Sequence, residues 1–248
     1  MIGEAAFLQV RGLSKSFAGE RVLDSVSFDL EPRQVLSVVG RSGCGKTTLL
    51  KIIAGLLPAD EGAIEKRGRD ITTVKPEQRD IVYLYQDALL FPHLSVFENI
   101  AFGLRLRKVA DSGVEREVVR MLQSLDLLEH RDKAPHQISG GQAQRVSFGR
   151  ALILAPSLLL LDEPFSSLDT DTRAQMQGLF KRVCLEYPIT AIFVTHDLKE
   201  ALILGDRVAT LRDGKLRAYE TKAQFIADPE TGVAQEAAFW LSLRSTDH

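Results

Sequence analysis

Gly40-Arg41-Ser42-Gly43-Cys44-Gly45-Lys46-Thr47 decides how this chain is read. The residues before it, Val35-Leu36-Ser37-Val38-Val39, are apolar and rich in β-branched side chains, the composition of a short buried strand. The residues after it, Lys46–Ile53, have the composition of a helix. Strand, glycine loop and helix together form the context of a phosphate loop, G-x-x-x-x-G-K-[ST]. Glycines let the backbone curl until successive N–H groups face one anion at the positive end of a helix. Gly40, Arg41, Ser42, Gly43, Cys44, Gly45, Lys46, Thr47 and Thr48 are thus expected to cradle a nucleoside triphosphate. Lys46 would reach the β- and γ-phosphates, and Thr47 would offer its hydroxyl to Mg²⁺. The plain alternative is a glycine-rich turn ahead of an ordinary helix; the buried strand before it argues against that.

Leu158-Leu159-Leu160-Leu161-Asp162-Glu163-Pro164 reads as a second buried strand that ends in two acids. A parallel strand covered on both faces is apolar without alternation, as this one is. Carboxylates at its C-terminal end fall where open α/β sheets bind ligands. Asp162 suits the Mg²⁺ shell through water, and Glu163 is placed to orient and deprotonate an attacking water. Between the two motifs lies Ile138-Ser139-Gly140-Gly141-Gln142. Ser139 with Gln142 three residues on is a capping-box pair opening a helix Gln142–Leu154. That makes a second glycine-flanked helix N-terminus with affinity for anions. Alone it would be weak evidence, since any S-x-x-Q helix start looks the same.

In this order the motifs resemble the nucleotide-binding subunits of ATP-binding-cassette transporters, over roughly residues 5 to 220. The resemblance implies a fold: α/β, a P-loop NTPase core with a mostly parallel sheet, an N-terminal antiparallel β subdomain and an inserted helical subdomain. It also implies site roles. Ser139, Gly140, Gly141 and Gln142 look like the signature motif, which contacts the γ-phosphate bound to an opposite subunit. Gln86 matches the Q-loop glutamine that senses Mg²⁺ and the γ-phosphate, and is counted with Thr47 and Asp162 as a metal-site residue. Asp169, after Ser166-Ser167-Leu168, matches the D-loop at the dimer interface. His196 matches the switch histidine that holds the γ-phosphate and the attacking water, and joins Glu163, Gln86 and Lys46 as a catalytic residue. Phe17 stands where the family usually places a tyrosine stacked on adenine; it keeps the π-face and loses only the hydroxyl.

Phe91-Pro92-His93-Leu94-Ser95-Val96-Phe97-Glu98-Asn99-Ile100 and Asp162–Asp169 are similar to bacterial importer subunits. Exporters tend to carry an acidic loop with a glycine just before the signature, where this chain has Lys133-Ala134-Pro135-His136-Gln137. The implied function is ATP hydrolysis coupled to solute import by a head-to-tail dimer, either a homodimer or a pairing with a related subunit. Implied partners are integral membrane permease subunits, with a substrate-binding protein as a further candidate. An exporter subunit, a soluble ATPase acting on DNA or ribosomes, and a non-hydrolysing binding module are the rivals. The chain departs from the importer pattern in two places. Those relatives often carry an extra C-terminal regulatory β-domain, where this sequence has a short tail. Tyr83-Leu84-Tyr85-Gln86 is also less usual than a phenylalanine before the glutamine.

The chain has 248 residues and is 45% apolar, enough for one sizeable core with an inserted subdomain. Residues 1–230 are expected to form the ATPase domain, with a helical subdomain at about 87–155 and a tail at 231–248. Val26, Phe28 and Leu30 alternate with Ser25, Ser27 and Asp29, a strand with one buried face. The core strands are expected at Val35–Val39, Ile81–Tyr85, Leu158–Asp162 and Ile189–Thr195. Ser95 with Glu98 predicts a capping box opening a helix Val96–Arg107, and Val114–Leu125 shows helical spacing. Asp213-Gly214 between alternating residues signals a hairpin over Val208–Arg217. Ala88–Pro92 with Phe97, Ile100, Phe102 and Leu104 concentrates large apolar groups in a short span. Most belong to the core; the resemblance implies that part forms a groove for a short helix of a membrane subunit. The tail's Phe239, Trp240 and Leu241 are expected to dock on their own core, with a partner contact or a lipid surface as the alternatives.

Net charge is −2 with acids and bases interspersed, so no basic field points to nucleic acid. Arg105, Arg107 and Lys108 read as a solvated helix end or a contact for lipid or partner. The two cysteines, Cys44 and Cys184, offer neither a disulfide framework nor metal spacing. The longest apolar run, Leu152–Leu161, contains Pro156 and is about half the ~20 residues a membrane span needs. The expected location is cytoplasmic, on the inner face of the cell membrane through the permease subunits.

Overall fold

A computed structural model describes residues 6–187 and 189–236. They fall into two compact units: the described residues up to Val74 together with those from Ile192 onward, and those between Lys75 and Ala191. The first unit opens with β1 (Leu8–Phe17) and β2 (Glu20–Leu30), an antiparallel pair. The turn between them has Ala18 at φ 48° and Gly19 at φ 87°, the two positive φ values of a tight hairpin that follows strand twist. Along β2 the alternation holds: Leu23, Val26, Phe28 and Leu30 are buried while Ser25 and Ser27 are exposed. Next come β3 (Val35–Val39), buried at every position, and α1 (Lys46–Ala54). Gly55 at φ 79° ends α1, and the Leu56 amide returns to the Lys51 carbonyl at 2.9 Å, a left-handed C-cap. β4 (Glu61–Lys66) and β5 (Arg69–Asp70) complete an antiparallel sheet ordered β2-β1-β4-β5.

The second unit begins with β6 (Ile81–Leu84), followed by α2 (Val96–Leu106), α3 (Asp111–Ser124), α4 (Gly140–Leu152), β7 (Leu158–Asp162) and α5 (Thr170–Glu186). β6 and β7 pair in parallel, with Ile81 opposite Leu158 and Leu84 opposite Leu161. Val96, Ile100, Val118, Leu122 and Val146 are fully buried in this unit. Phe180 packs on Phe148 and Phe165 at centroid distances of 5.6 and 6.3 Å. Asn99, also fully buried, clamps the turn before α2. Its Oδ1 accepts the Phe91 amide at 2.8 Å, and its Nδ2 donates to the carbonyls of Phe91, Leu94 and Ser95.

β8 (Ala191–Thr195) leads back into the first unit, which closes with α6 (Leu198–Leu204), β9 (Arg207–Arg212), β10 (Lys215–Ala218) and α7 (Lys222–Ala227). There the strand order is β10-β9-β3-β8, with β3 and β9 parallel. Asp213 at φ 49° and Gly214 at φ 76° form the hairpin turn between β9 and β10. Tyr219, Phe225, Val39, Ala201 and Val208 make a local core on which Val233 packs. Thus the fold is mixed α/β, with an antiparallel N-terminal sheet and parallel pairing at β3/β9 and β6/β7.

Several sequence expectations shift. The strand expected over Ile81–Tyr85 ends at Leu84, and the one over Ile189–Thr195 starts at Ala191. The helix expected from Gln142 begins at Gly140, directly after its cap, and ends at Leu152. The helix expected to Arg107 stops at Leu106, and the one read from Val114 starts at Asp111. Ser95 caps α2 by accepting the Glu98 amide at 3.2 Å, but Glu98 does not complete the box. Its carboxylate takes two bonds from Arg105 instead, at 2.7 and 2.8 Å, since a bidentate guanidinium outcompetes a single amide. Arg105 is therefore engaged along its own helix, and Arg107 donates to the Leu154 carbonyl at 3.0 Å. Residues 237–248, with Phe239, Trp240 and Leu241, lie outside the described residues.

Candidate active site

In the first unit, the loop of residues 40–45 connects the C-terminal end of β3 to α1, whose first residues are Lys46 and Thr47. A Cβ on Gly40 would sit 2.5 Å from both the Leu211 carbonyl oxygen and the Cys44 sulfur, so only glycine fits. Gly45 caps α1 at φ 103°, a conformation that side chains disfavour. Lys46, only 4% exposed, turns its ammonium onto the loop: Nζ donates to the carbonyls of Gly40 at 2.7 Å and Arg41 at 3.1 Å. Arg41, Ser42, Gly43 and Thr47 are exposed, while Cys44 and Thr48 are half-buried. The loop thus presents a helix N-terminus with a cation fixed beneath it, which suits a polyphosphate.

The Gly40 amide donates to the Thr195 carbonyl at 3.3 Å, so His196 follows directly from the strand end beside the loop. His196 is exposed, on a turn made rigid by its neighbours. Thr195 Oγ1 donates to buried Glu200 at 2.7 Å and accepts the Asp197 amide at 3.0 Å. Asp197 in turn caps α6 through the amides of Lys199 and Glu200. Phe17 ends β1 and is 44% exposed, which leaves its ring available for stacking, and the Lys15 ammonium lies 5.5 Å from its centroid. Lys15 is held by Asp60 at 2.6 Å, and Asp60 also accepts the Ser16 amide at 2.7 Å. Those bonds, from the Lys15 ammonium first and the Ser16 amide second, hold the Asp60 carboxyl below its ordinary range.

In the second unit, the parallel register of β6 and β7 brings their C-terminal ends to one edge. Gln86 lies two residues beyond β6, exposed, with its backbone carbonyl bonded by Gln144 Nε2 from α4. Asp162 ends β7, half-buried, and its Oδ2 accepts the Tyr83 hydroxyl at 2.6 Å. Glu163 follows at φ 45°, in the left-handed region unusual for a non-glycine residue and frequent at functional sites. Its carbonyl accepts the Ser166 hydroxyl at 2.8 Å, which fixes the turn.

The Ser139–Gln142 box is complete: Ser139 Oγ accepts the Gln142 amide at 3.3 Å, and Gln142 Oε1 accepts the Ser139 amide at 2.9 Å. Gln142 Nε2 lies 2.8 Å from His130 Nε2. Gly140 is exposed, with open space where a Cβ would stand, whereas a Cβ on Gly141 would strike the Thr172 methyl. Thr172 belongs to the first turn of α5, whose cap Asp169 accepts the Thr172 amide at 3.0 Å. That bond first, and the Thr172 hydroxyl second, keep the Asp169 carboxyl below its usual range. The N-termini of α4 and α5 are therefore neighbours, which joins Ser139–Gln142 with Asp169.

The same unit holds an open groove of about 370 Å³ lined by Tyr83, Tyr85, Leu89, Phe91, Phe102 and Arg150 among others. Arg150 donates to the Leu89 carbonyl at 3.0 Å and lies 5.2 Å from the Phe91 centroid. Burial lowers the pKa of its guanidinium. Among the described residues no group of three or more His, Cys, Asp or Glu gathers as a metal site. The Thr47 hydroxyl, Gln86 amide and Asp162 carboxylate each offer oxygen, the donor type that Mg²⁺ takes beside phosphate oxygens. Among the described residues no helix is long and apolar enough to cross a membrane. Tyr83, Asn99, His130, Gln144 and Glu200 are the supporting residues that motif reading overlooks. For Tyr83 the available signal was a phenol inside an apolar strand, which needs a polar partner.

A family model described as ABC transporter matches residues 23–166. The spermidine/putrescine import ATP-binding protein PotA of Aliivibrio fischeri is 44% identical over 225 residues, covering 91% of this chain and 60% of that protein. The protein of the same name from Protochlamydia amoebophila is 45% identical over 224 residues, 87% of this chain and 60% of its own length. The chain thus spans about 60% of the length of these curated relatives. Among solved structures, cbiO1 from Clostridium perfringens, described as part of the ABC transporter complex cbiONQ, is similar with a TM-score of 0.83 at 26% identity. That likeness covers 90% of this chain and 92% of the other.

Proposed function

Because the chain belongs to the ABC transporter family, we propose that it is the ATP-hydrolysing subunit of an importer, working as a head-to-tail pair beneath membrane permease subunits. The observation that carries this reading is that one chain presents two glycine-flanked helix N-termini, at α1 and α4. One suffices to hold a nucleotide. The second, with exposed Gly140, suits the γ-phosphate of ATP bound to another copy.

In this reading each ATP lies between the phosphate loop of one copy and Ser139–Gln142 of the other, with Asp169 lining the interface. Phe17 stacks on adenine, and Lys46 holds the β- and γ-phosphate oxygens. Mg²⁺, when bound, neutralises charge on those oxygens; Thr47, Gln86 and, through water, Asp162 are the residues to hold it. Glu163 orients the attacking water and takes its proton, while His196 bonds the γ-phosphate and that water. Closure of the pair on ATP and its opening after hydrolysis then drive the permease, because the closed pair binds ATP more tightly than the open one. The groove beside Tyr83 and Phe91 accepts a short helix from the permease. Residues 1–230 are the ATPase domain in this account. The subunit sits on the inner face of the membrane through its partners, a substrate-binding protein among them, and those partners select the solute.

Import is preferred to export on the names of the relatives. The test is a pull-down of tagged Glu163→Gln chain with ATP from detergent-solubilised host membranes. A polytopic permease among the captured proteins supports the reading. Capture of soluble proteins or ribosomes alone would favour a soluble ATPase of the same family instead.

A further inference from the structure

Tyr83 lies opposite Leu160 across the parallel β6/β7 pair. Side chains two apart on a strand share a face, so Asp162 stands on the same face as Leu160, one step nearer the strand end. The Tyr83 phenol spans that step and donates to Asp162 Oδ2 at 2.6 Å. The length is that of a short hydroxyl–carboxyl hydrogen bond. In this bond the phenol is the donor and the carboxylate oxygen the acceptor. Its ring packs against that of Tyr85, at a centroid distance of 4.6 Å. The same ring lines the groove of about 370 Å³.

We propose that Tyr83 is a positioning residue for the nucleotide-bound cation: its hydroxyl fixes the rotation of the Asp162 carboxylate, and its loss weakens cation binding without weakening nucleotide binding. The inference rests on the reading of Asp162 as a carboxylate of the Mg²⁺ shell. A carboxylate that holds the cation through water, with one fewer partner, must be ordered further each time the cation binds. Outer-shell partners of direct ligands are commonly worth about 10–100-fold in metal affinity, and a partner acting through a water-bridged carboxylate falls at the low end of that range. Tyr83 touches neither the reacting atoms nor the cation in this account, and acts through Asp162 alone.

The discriminating variant is Tyr83→Phe, which keeps the ring, its contact with Tyr85 and the groove wall, and removes only the hydroxyl. In the non-hydrolysing Glu163→Gln background, with protein in excess over ATP, Mn²⁺ is titrated and free Mn²⁺ is read by electron paramagnetic resonance. Tyr83→Phe is expected to bind Mn²⁺ about tenfold more weakly, with unchanged ATP affinity in EDTA. Unchanged or tighter Mn²⁺ binding overturns the proposal, and so does an equal loss of ATP affinity in EDTA, which would mean general loosening. Asp162→Asn run beside it separates the two levels. If it loses Mn²⁺ while Tyr83→Phe does not, the Tyr83 inference fails and the Asp162 reading stands. If Asp162→Asn itself keeps full Mn²⁺ affinity, both fail.

Discussion

Ser139 and Gln142 cap each other, each side chain accepting the other's backbone amide, at 3.3 and 2.9 Å. The exchange satisfies two N–H groups at the start of α4 and leaves the Gly140 turn exposed between them. Ser139→Ala should therefore cost about 1 kcal/mol, a fall of about 2–4 °C in Tm for a chain of this size. The same variant should bind ATP as a single copy with unchanged affinity yet fail to pair in ATP. Calorimetry and size-exclusion chromatography in the Glu163→Gln background read the two effects separately. Normal ATP-driven pairing would remove Ser139 from the interface.

Lys46 places its ammonium on the carbonyls of Gly40 and Arg41, beneath the exposed loop. Losing a charged bond to phosphate costs about 1.5–3 kcal/mol, so Lys46→Ala should weaken ATP binding by at least about tenfold. Titration with a fluorescent ATP analogue checks it. Unchanged affinity would sink the role given to Lys46.

Asp60 supplies a pH dependence whose sign follows from its lowered pKa. Its stabilising bonds to Lys15 and Ser16 are fully present above the unfolded value of 3.8 and are lost as pH falls through the lower folded value. Asp60→Asn cannot titrate. The difference in urea midpoint between parent and variant should thus be largest near about pH 6 and shrink toward about pH 3. A difference that stays constant over that range would mean that the Asp60 charge contributes nothing.

Cys44 sits half-buried in the loop between Gly43 and Gly45, whereas Cys184 lies in α5 of the other unit. Bound ATP should slow maleimide labelling of Cys44 several-fold and leave Cys184 unaffected, as read by peptide mapping. Equal labelling of Cys44 with and without ATP would contradict its place in the cradle.

What the sequence made legible was local. The phosphate loop, the Ser139–Gln142 box and the Asp213-Gly214 turn each rest on chemistry within a few residues, so spacing alone reveals them. The all-apolar Leu158–Leu161 run was readable because burial on both faces leaves no alternation to misjudge. β1 escaped, since irregular pairing between Val10 and Ser16 breaks its period and leaves Leu13, Ser14 and Lys15 buried in succession. Glu98 was misjudged because its partner, Arg105, lies two helical turns away. The Tyr83–Asp162 and Gln142–His130 bonds depend on strand register and loop path, which no local pattern encodes.

Glu163, held at φ 45° beyond β7, is the proposed base for ATP hydrolysis. The most direct measurement is the ATPase rate of Glu163→Gln beside the parent chain, with ATP binding measured on the same samples. A general base contributes about 10²–10⁴-fold, so the rate should fall at least about 100-fold while ATP affinity holds and the pair becomes stable in ATP. Hydrolysis by Glu163→Gln at the parent rate would contradict the account.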